Sequence, residues 1–379
     1  MEQLLPYGRP VTGKNLIDRE EPLEEIISNS KREQSIILAS SRRYGKTSVI
    51  LETLQQLKKE GFLTGYVDLF EKTSLSKIAE EIVATVLENE THRAWQIIEL
   101  AKKGIQTLLK NVRFKHVWKE YEIILSFGSK EVDEHSLFDS ALEFPQKFAE
   151  KKKKRLFIAL DEFGEFKNID GKLIKKLRAK FQRHSMVTYI FSGSQESLMR
   201  ELFTHKAQAF YGFGRIISIG PIPEEDVVNY LVNRFKKGGI TISKELASNM
   251  GIRVNFHPHY LKVMAQSVLD SIRGEKFELY ENDLKEGFSL ALMRTKGELD
   301  EEWVALSKAV LQRRLIKFLA LEGKLPYSKE NFIGVDKSKI YFAITELEKK
   351  GIIRKTNRGK YAFINPFFPE YIKLLAEGV

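Results

Sequence analysis

The eight residues Ser40-Ser41-Arg42-Arg43-Tyr44-Gly45-Lys46-Thr47 follow a short apolar, β-branched run, Ser35-Ile36-Ile37-Leu38-Ala39, and precede the amphipathic stretch 48–61. A loop of this composition between a buried strand and the start of a helix is suited to hold phosphate. Backbone amides of residues 42–47 can wrap an anion at the positive end of the helix dipole. Gly45 permits close backbone approach. The Lys46 ammonium would reach the β- and γ-phosphates of a nucleotide, and the Thr47 hydroxyl would ligate Mg²⁺. Ser40 stands where the pattern G-x-x-x-x-G-K-[ST] has its first glycine, so an accidental Gly-Lys-Thr in an ordinary strand–turn–helix is the competing reading. The nucleotide-contacting set expected from this stretch is Ser40, Ser41, Arg42, Arg43, Tyr44, Gly45, Lys46, Thr47 and Ser48. A second literal match, Gly8 to Lys14, fails on physical grounds. No buried strand leads into it, Pro10 removes an amide from the loop, and Asn15 replaces the metal-binding hydroxyl.

A second constellation completes the chemistry. Arg155-Leu-Phe-Ile-Ala-Leu-Asp161-Glu162 puts two acids at the end of an apolar strand, and in a parallel sheet the carboxyl ends of the strands are where ligands bind. Asp161 would hold Mg²⁺, and Glu162 would be the base that activates the attacking water. The next apolar run, 187–194, ends in Ser192-Gly193-Ser194, and Ser194 could contact the γ-phosphate or that water. Arg215, after the glycine-rich Ala209-Phe-Tyr-Gly-Phe-Gly214, could stabilise γ-phosphate charge in cis or across an oligomer interface. The cofactors implied are ATP and Mg²⁺.

These residues need a scaffold, and the pattern supplies one. Apolar runs at 35–39, 62–69, 155–162, 187–194 and 216–223 alternate with helical stretches, one of them spanning most of 76–150. That alternation predicts an α/β fold with a parallel sheet covered on both faces. After Pro223 the strands stop and a helical segment follows. The last part reads as three helices, the second of them in 328–334, and a hairpin around Asn357-Arg358-Gly359, the pattern of a winged helix-turn-helix. The expected domains are an ATPase core at 1–222, a helical lid at 223–300 and a winged helix at 301–379.

With 379 residues and 42% hydrophobic content the chain can bury large cores in two or three domains. It contains no cysteine, which excludes disulfides and thiolate metal sites. No apolar run is long enough to span a membrane, and the N-terminus lacks the pattern of a signal peptide, so a cytoplasmic protein with no membrane partner is expected. The net charge is +11, and residues 313–379 carry 14 Lys+Arg against 7 Asp+Glu. That excess favours duplex DNA or another polyanion as partner, unless it merely solvates the surface.

Taken together, these motifs resemble the archaeal ATPase family, P-loop proteins close to the signal-transduction ATPases with numerous domains and more distantly similar to AAA+ proteins. The resemblance runs through the segment Ile17-Asp18-Arg19-Glu20-Glu21-Pro22-Leu23, the loop Ser40–Thr47, the acids Asp161-Glu162, the strand end Gly193-Ser194, and Tyr211-Gly212 through Arg215. It extends to a Gly-x-Pro element that touches adenine in such proteins. Pro258 matches it and Phe256 replaces the glycine. The C-terminus, Phe363-Ile-Asn-Pro-Phe-Phe368, also looks like the family's. The resemblance implies ATP binding and hydrolysis and says little about biological role. His257 and His259 read as a packed pair and not as metal ligands.

In the C-terminal part, Ile340, Ile344 and Leu347 share one helical face, while Lys337, Tyr341 and Thr345 share another that could meet a DNA groove. Arg354, Lys355, Arg358 and Lys360 offer charge to phosphates. Two functions remain open on the sequence. One is a nucleotide-dependent DNA-associated protein, similar in layout to origin-recognition initiators. The other is a nucleotide switch acting on a protein partner or on a second copy of the chain.

Overall fold

In the computed structural model of the protein, the residues described are 5–17, 19–70, 74–89, 133–272, 277–325, 335–357 and 359–377. The expected helical pattern at 90–132, the short helix at 328–334, Asp18 and Arg358 lie outside them. Two compact units are formed. One comprises residues 20–40 and 46–219, the other residues 1–19, 41–45 and 220–379.

The first unit contains α1 (Glu20–Lys31), β1 (Ile36–Ala39), α2 (Lys46–Lys59), β2 (Leu63–Asp68), α3 (Leu75–Leu87), α4 (Glu134–Lys152), β3 (Leu156–Asp161), α5 (Glu165–Ile169), α6 (Leu173–Phe181), β4 (Val187–Gly193), α7 (Glu196–Thr204) and β5 (Arg215–Ser218). Its five strands form one parallel sheet in the order β2-β3-β4-β1-β5. Every residue of β1, β3 and β4 is buried. This is why these strands read as continuous apolar runs and not as alternating ones. Leu156, Ile158, Leu160, Tyr189 and Phe191 belong to the core of one face, together with α3, α4 and α6.

The free edge of β2 is covered by side chains of α3. The Tyr66 amide donates to Thr85 Oγ1 at 2.9 Å, the Thr64 amide donates to Asn89 Oδ1 at 3.0 Å, and Asn89 Nδ2 returns a bond to the Thr64 carbonyl at 2.8 Å. Gly65 makes that approach feasible, since a Cβ there would lie 3.1 Å from Thr85 Cγ2.

The second unit is helical apart from one hairpin. It holds α8 (Glu224–Lys237), α9 (Lys244–Arg253), α10 (Pro258–Ser271), α11 (Glu281–Val304), α12 (Val310–Glu322), α13 (Lys337–Lys349), the antiparallel pair β6 (Ile353–Asn357) and β7 (Lys360–Phe363), and α14 (Phe368–Glu377). One apolar cluster runs from Leu231 and Met264 through Leu284 and Leu315 to Leu347, Phe367 and Phe368. The helix ends match their sequences. Ser243 and Asp336 cap α9 and α13 by accepting amides at 3.1 and 2.7 Å, and Gly323 closes α12 at φ +67°. The final helix α14 was not foreseen from the sequence, where two prolines and three phenylalanines mask its period. It buries Phe368, Tyr371 and Ile372.

Two glycines on α11 test this packing. A Cβ at Gly287 would stand 2.3 Å from Val268 Cγ2 and 2.7 Å from Val268 Cα on α10, whereas one at Gly297 would meet nothing within 4 Å. Gly287→Ala should therefore destabilise the protein by about 1–3 kcal/mol through overpacking. Gly297→Ala should stabilise it by roughly 0.5–1 kcal/mol through helix propensity alone. Chemical denaturation of both variants checks the opposed signs, and a shift in the same direction for both would contradict the helix contact described.

Candidate functional site

In the first unit, the parallel register brings the ends of β1, β3 and β4 to one edge. Ala39 pairs with Gly193, and Leu160 with Phe191, so that Asp161 lies level with Ser192. At this edge the Asp161 carboxylate, 4% exposed, accepts four hydrogen bonds. Thr47 Oγ1 and the Tyr66 phenol donate to Oδ2 at 2.7 and 3.0 Å. The Glu162 amide donates to Oδ1 at 3.0 Å, and the Ser192 hydroxyl donates to the same oxygen. Burial, and after it the negative charge of Asp161, pushes the Tyr66 phenol well above its ordinary range, which keeps it a donor at any ordinary pH.

Glu162 follows with φ +55°, a left-handed conformation costly for a residue with a Cβ. The surroundings impose it. The Phe163 amide donates to the Ser192 carbonyl at 2.8 Å, and the Phe163 ring is fully buried, 4.8 to 5.8 Å from those of Phe191, Phe210, Phe166 and Phe203. The turn aims the Glu162 side chain at the next strand end, where Oε2 accepts the Ser194 amide at 2.7 Å. Gly193 leaves room for α7, because a Cβ there would sit 2.9 Å from Met199 Sδ.

Lys46 and Thr47 open α2, where first-turn amides have no partner within the helix. Lys46 is 7% exposed, and its Nζ donates to the Ser40 carbonyl at 2.9 Å. Ser40, the departure from the glycine pattern, is accommodated because its hydroxyl turns away and donates to the Ile219 carbonyl at 2.6 Å. The oxygen-only pair of half-buried Thr47 and buried Asp161, already in hydrogen-bond contact, fits a hard cation such as Mg²⁺, which needs few protein ligands when phosphate and water supply the rest. Among the described residues no group of three or more His, Asp or Glu gathers as a metal cluster.

The loop tip belongs to the second unit and is tied down there. Gly45 has φ +88° and Arg43 φ +64°. The buried Arg19 guanidinium donates to the carbonyls of Tyr44 at 3.3 Å and Gly220 at 2.9 Å. Arg43 pairs with Glu298 on α11. The Tyr44 ring lies 4.2 Å from that of His257, and Arg354 of β6 lies 6.0 Å from the Tyr44 ring centre. His257 is buried and held neutral, its pKa lowered chiefly by burial. Burial likewise pushes His259 down to about 4. Pro258 opens α10, a place its fixed φ suits without any ligand. Asn255 and Phe256 sit at φ +52° and +53°, so Phe256 adopts the left-handed conformation that a glycine would take freely. The other literal motif ends in a 3₁₀ turn at Gly13–Asn15, whose carbonyls are held by Arg234 and Lys262.

Thr47, Asp161, Glu162 and the Ser194 amide are thus brought together, with Lys46 beside Ser40. Arg215 is not brought to them. It is the first residue of β5 and pairs with Ile36, the first of β1, so it stands at the amino edge of the sheet, level with Ala159, about 7 Å of strand before Asp161 and three strands, roughly 14 Å, across the sheet from it. There it forms an ion pair with Glu25 at 2.6 Å. A cis role on the γ-phosphate does not fit that position, which chain order already implied, since Arg215 precedes its strand and ligands bind beyond the carboxyl ends. Tyr66 was missed because a tyrosine in a strand signals only packing.

Comparison with known folds follows this geometry. The Walker-type ATPase PABY2304 of Pyrococcus abyssi superposes with a TM-score of 0.70 at 14% identity, over 98% of this chain and 100% of that one. The ORC2 protein of Aeropyrum pernix, solved as ADPNP–ADP complexes, gives 0.60 at 13% identity, over 100% and 99%. At such identities the likeness is one of fold. The sequence has no match among curated proteins. Residues 16–247 match the family described as an ATPase domain predominantly from Archaea, and with more than half the chain inside that match, the protein belongs to this archaeal ATPase family.

Proposed function

We propose that the protein binds ATP with Mg²⁺ and hydrolyses it at the edge formed by Lys46, Thr47, Asp161, Glu162 and Ser194. The observation that carries this reading is the join between Thr47 and Asp161, together with Glu162 held on the Ser194 amide. Lys46 exchanges the Ser40 carbonyl for the β- and γ-phosphates. Thr47 and Asp161 would hold Mg²⁺, which would supply positive charge against the phosphates. Glu162 accepts the proton of a water that attacks the γ-phosphorus as the bond to the β-bridging oxygen breaks, releasing ADP and phosphate. The loop residues Ser41, Arg42, Arg43, Tyr44, Gly45 and Ser48 supply the amide lining.

We further propose the three-part division 1–222, 223–300 and 301–379, with a winged helix as the last part and duplex DNA as its partner. Supporting this are the capped helix α13, the β6–β7 hairpin, and exposed Lys337, Lys355 and Lys360. Ile344 and Leu347 face inward while Tyr341 is 72% exposed. Arg354 is better assigned to the Tyr44 ring than to phosphate. A protein partner is the second reading, favoured by the exposed pair Tyr341 and Phe342, at 72% and 65%.

Three measurements test these statements. Lys46→Ala removes a charged donor worth roughly 1.5–3 kcal/mol, so ATP affinity in a calorimetric titration should fall about 10- to 100-fold. Lys14→Ala should leave it unchanged, and equal affinity for both variants would sink the assignment of the loop. Glu162→Gln keeps the acceptor for the Ser194 amide but not the base. It should retain ATP and lose phosphate release by about a hundredfold or more, whereas wild-type turnover would remove Glu162 from the chemistry. For the wing, log affinity for a labelled duplex should fall with log salt by about 0.9 per phosphate contacted. Replacing Lys355, Arg358 and Lys360 with Ala should flatten that slope by about 2–3 units. A slope unchanged by the triple substitution, or no duplex binding at near-physiological salt, would favour the protein partner.

A further inference from the structure

Three of the four donors to Asp161 take no part in the proposed chemistry, and one of them, Tyr66, comes from the edge strand. The Ser192 hydroxyl and the Glu162 amide fix Oδ1, while Thr47, whose hydroxyl would ligate the cation, and Tyr66 share Oδ2. Tyr66 reaches the carboxylate from the edge strand β2, two strand positions before Asp68, the register partner of Asp161. Its backbone is fixed from the far side by Thr85, and Gly65 lets α3 press close enough to do so. A carboxylate whose two oxygens are each held by a non-ligating donor keeps one orientation when the Thr47 oxygen turns to a metal. Without the phenol, only Oδ1 would remain held by groups that do not ligate.

We propose that Tyr66 is a positioning residue for the divalent cation, its phenol fixing the plane of the Asp161 carboxylate toward Thr47. This inference rests on the ATP–Mg²⁺ reading above. The phenol acts through the Asp161 carboxylate, so its effect is expected on cation affinity more than on metal-free nucleotide affinity.

The test uses Mn²⁺ as the probe, with the full chain and ADP. Electron paramagnetic resonance counts free Mn²⁺ during titration of wild type, Tyr66→Phe and Thr85→Val. ADP affinity of each is measured separately in EDTA. Tyr66→Phe keeps the ring and loses only the O–H. Removing such a partner of a metal-holding group costs about 10- to 100-fold in metal affinity, so Mn²⁺ affinity should drop by about that factor while metal-free ADP affinity stays at the wild-type value. Thr85→Val frees the Tyr66 amide but keeps the phenol, and its Mn²⁺ affinity should fall by less than that of Tyr66→Phe. Unchanged Mn²⁺ affinity in Tyr66→Phe overturns the proposal. So does an equal loss of Mn²⁺ and metal-free ADP binding, which marks a structural defect, or the same Mn²⁺ defect in Thr85→Val. A wild-type protein that fails to bind ADP in EDTA or with Mn²⁺ overturns the nucleotide reading itself, and this one with it.

Discussion

A carboxylate buried at the end of a central strand is the constraint on which the first unit turns. Removing Asp161 from water would cost several kcal/mol if its lone pairs went unmet. Its donors come from the start of α2, from β2, from the tip of β4 and from the following residue. Satisfying one side chain therefore fixes four pieces of backbone relative to one another. It also brings the Thr47 hydroxyl and the Glu162 carboxylate to one edge of the sheet. The backbone strain at Glu162 is tolerated because the next residue, Phe163, is locked among buried rings. The aromatic cluster beneath the sheet edge thus supports the turn that carries Glu162.

The loop tip obeys a different logic. Its backbone takes two left-handed residues, Arg43 and Gly45, and is held through the Tyr44 carbonyl by Arg19. The Tyr44 and His257 rings pack so tightly that both are nearly inaccessible. The sequence segment around Arg19 is therefore structural for the loop, which explains why an arginine and not just any acidic-flanked residue stands there. Arg354 on the Tyr44 ring joins the hairpin to the same cluster.

Much of this was legible in the sequence because burial on both faces writes strands as unbroken apolar runs. The runs at 36–39, 156–161 and 187–193 fall within those expected, and so does the placing of Asp161, Glu162 and Ser194 at strand ends. What escaped shares one physical cause. Side-chain partners across strands depend on register, which periodicity does not encode. Tyr66 and Asp161 are 95 residues apart, and Ser40 and Ile219 are 179 apart. Arg215 is a different case, because it precedes its strand in the sequence and stands at the amino edge in the structure, paired with Glu25. Phe256 in place of a glycine looked like a lost motif. The structure shows the same left-handed backbone adopted by a residue that pays for it in strain.

The central claim is that Thr47 and Asp161 together hold the divalent cation of a bound nucleotide. Crystals grown with Mn²⁺ and a non-hydrolysable ATP analogue test it through anomalous scattering. The account predicts one manganese peak at ligand distance from Thr47 Oγ1, facing the Asp161 carboxylate, with the γ-phosphate beside Lys46. A manganese peak remote from Thr47, or a nucleotide seated on the 8–14 segment with the 40–47 loop unchanged, would contradict it.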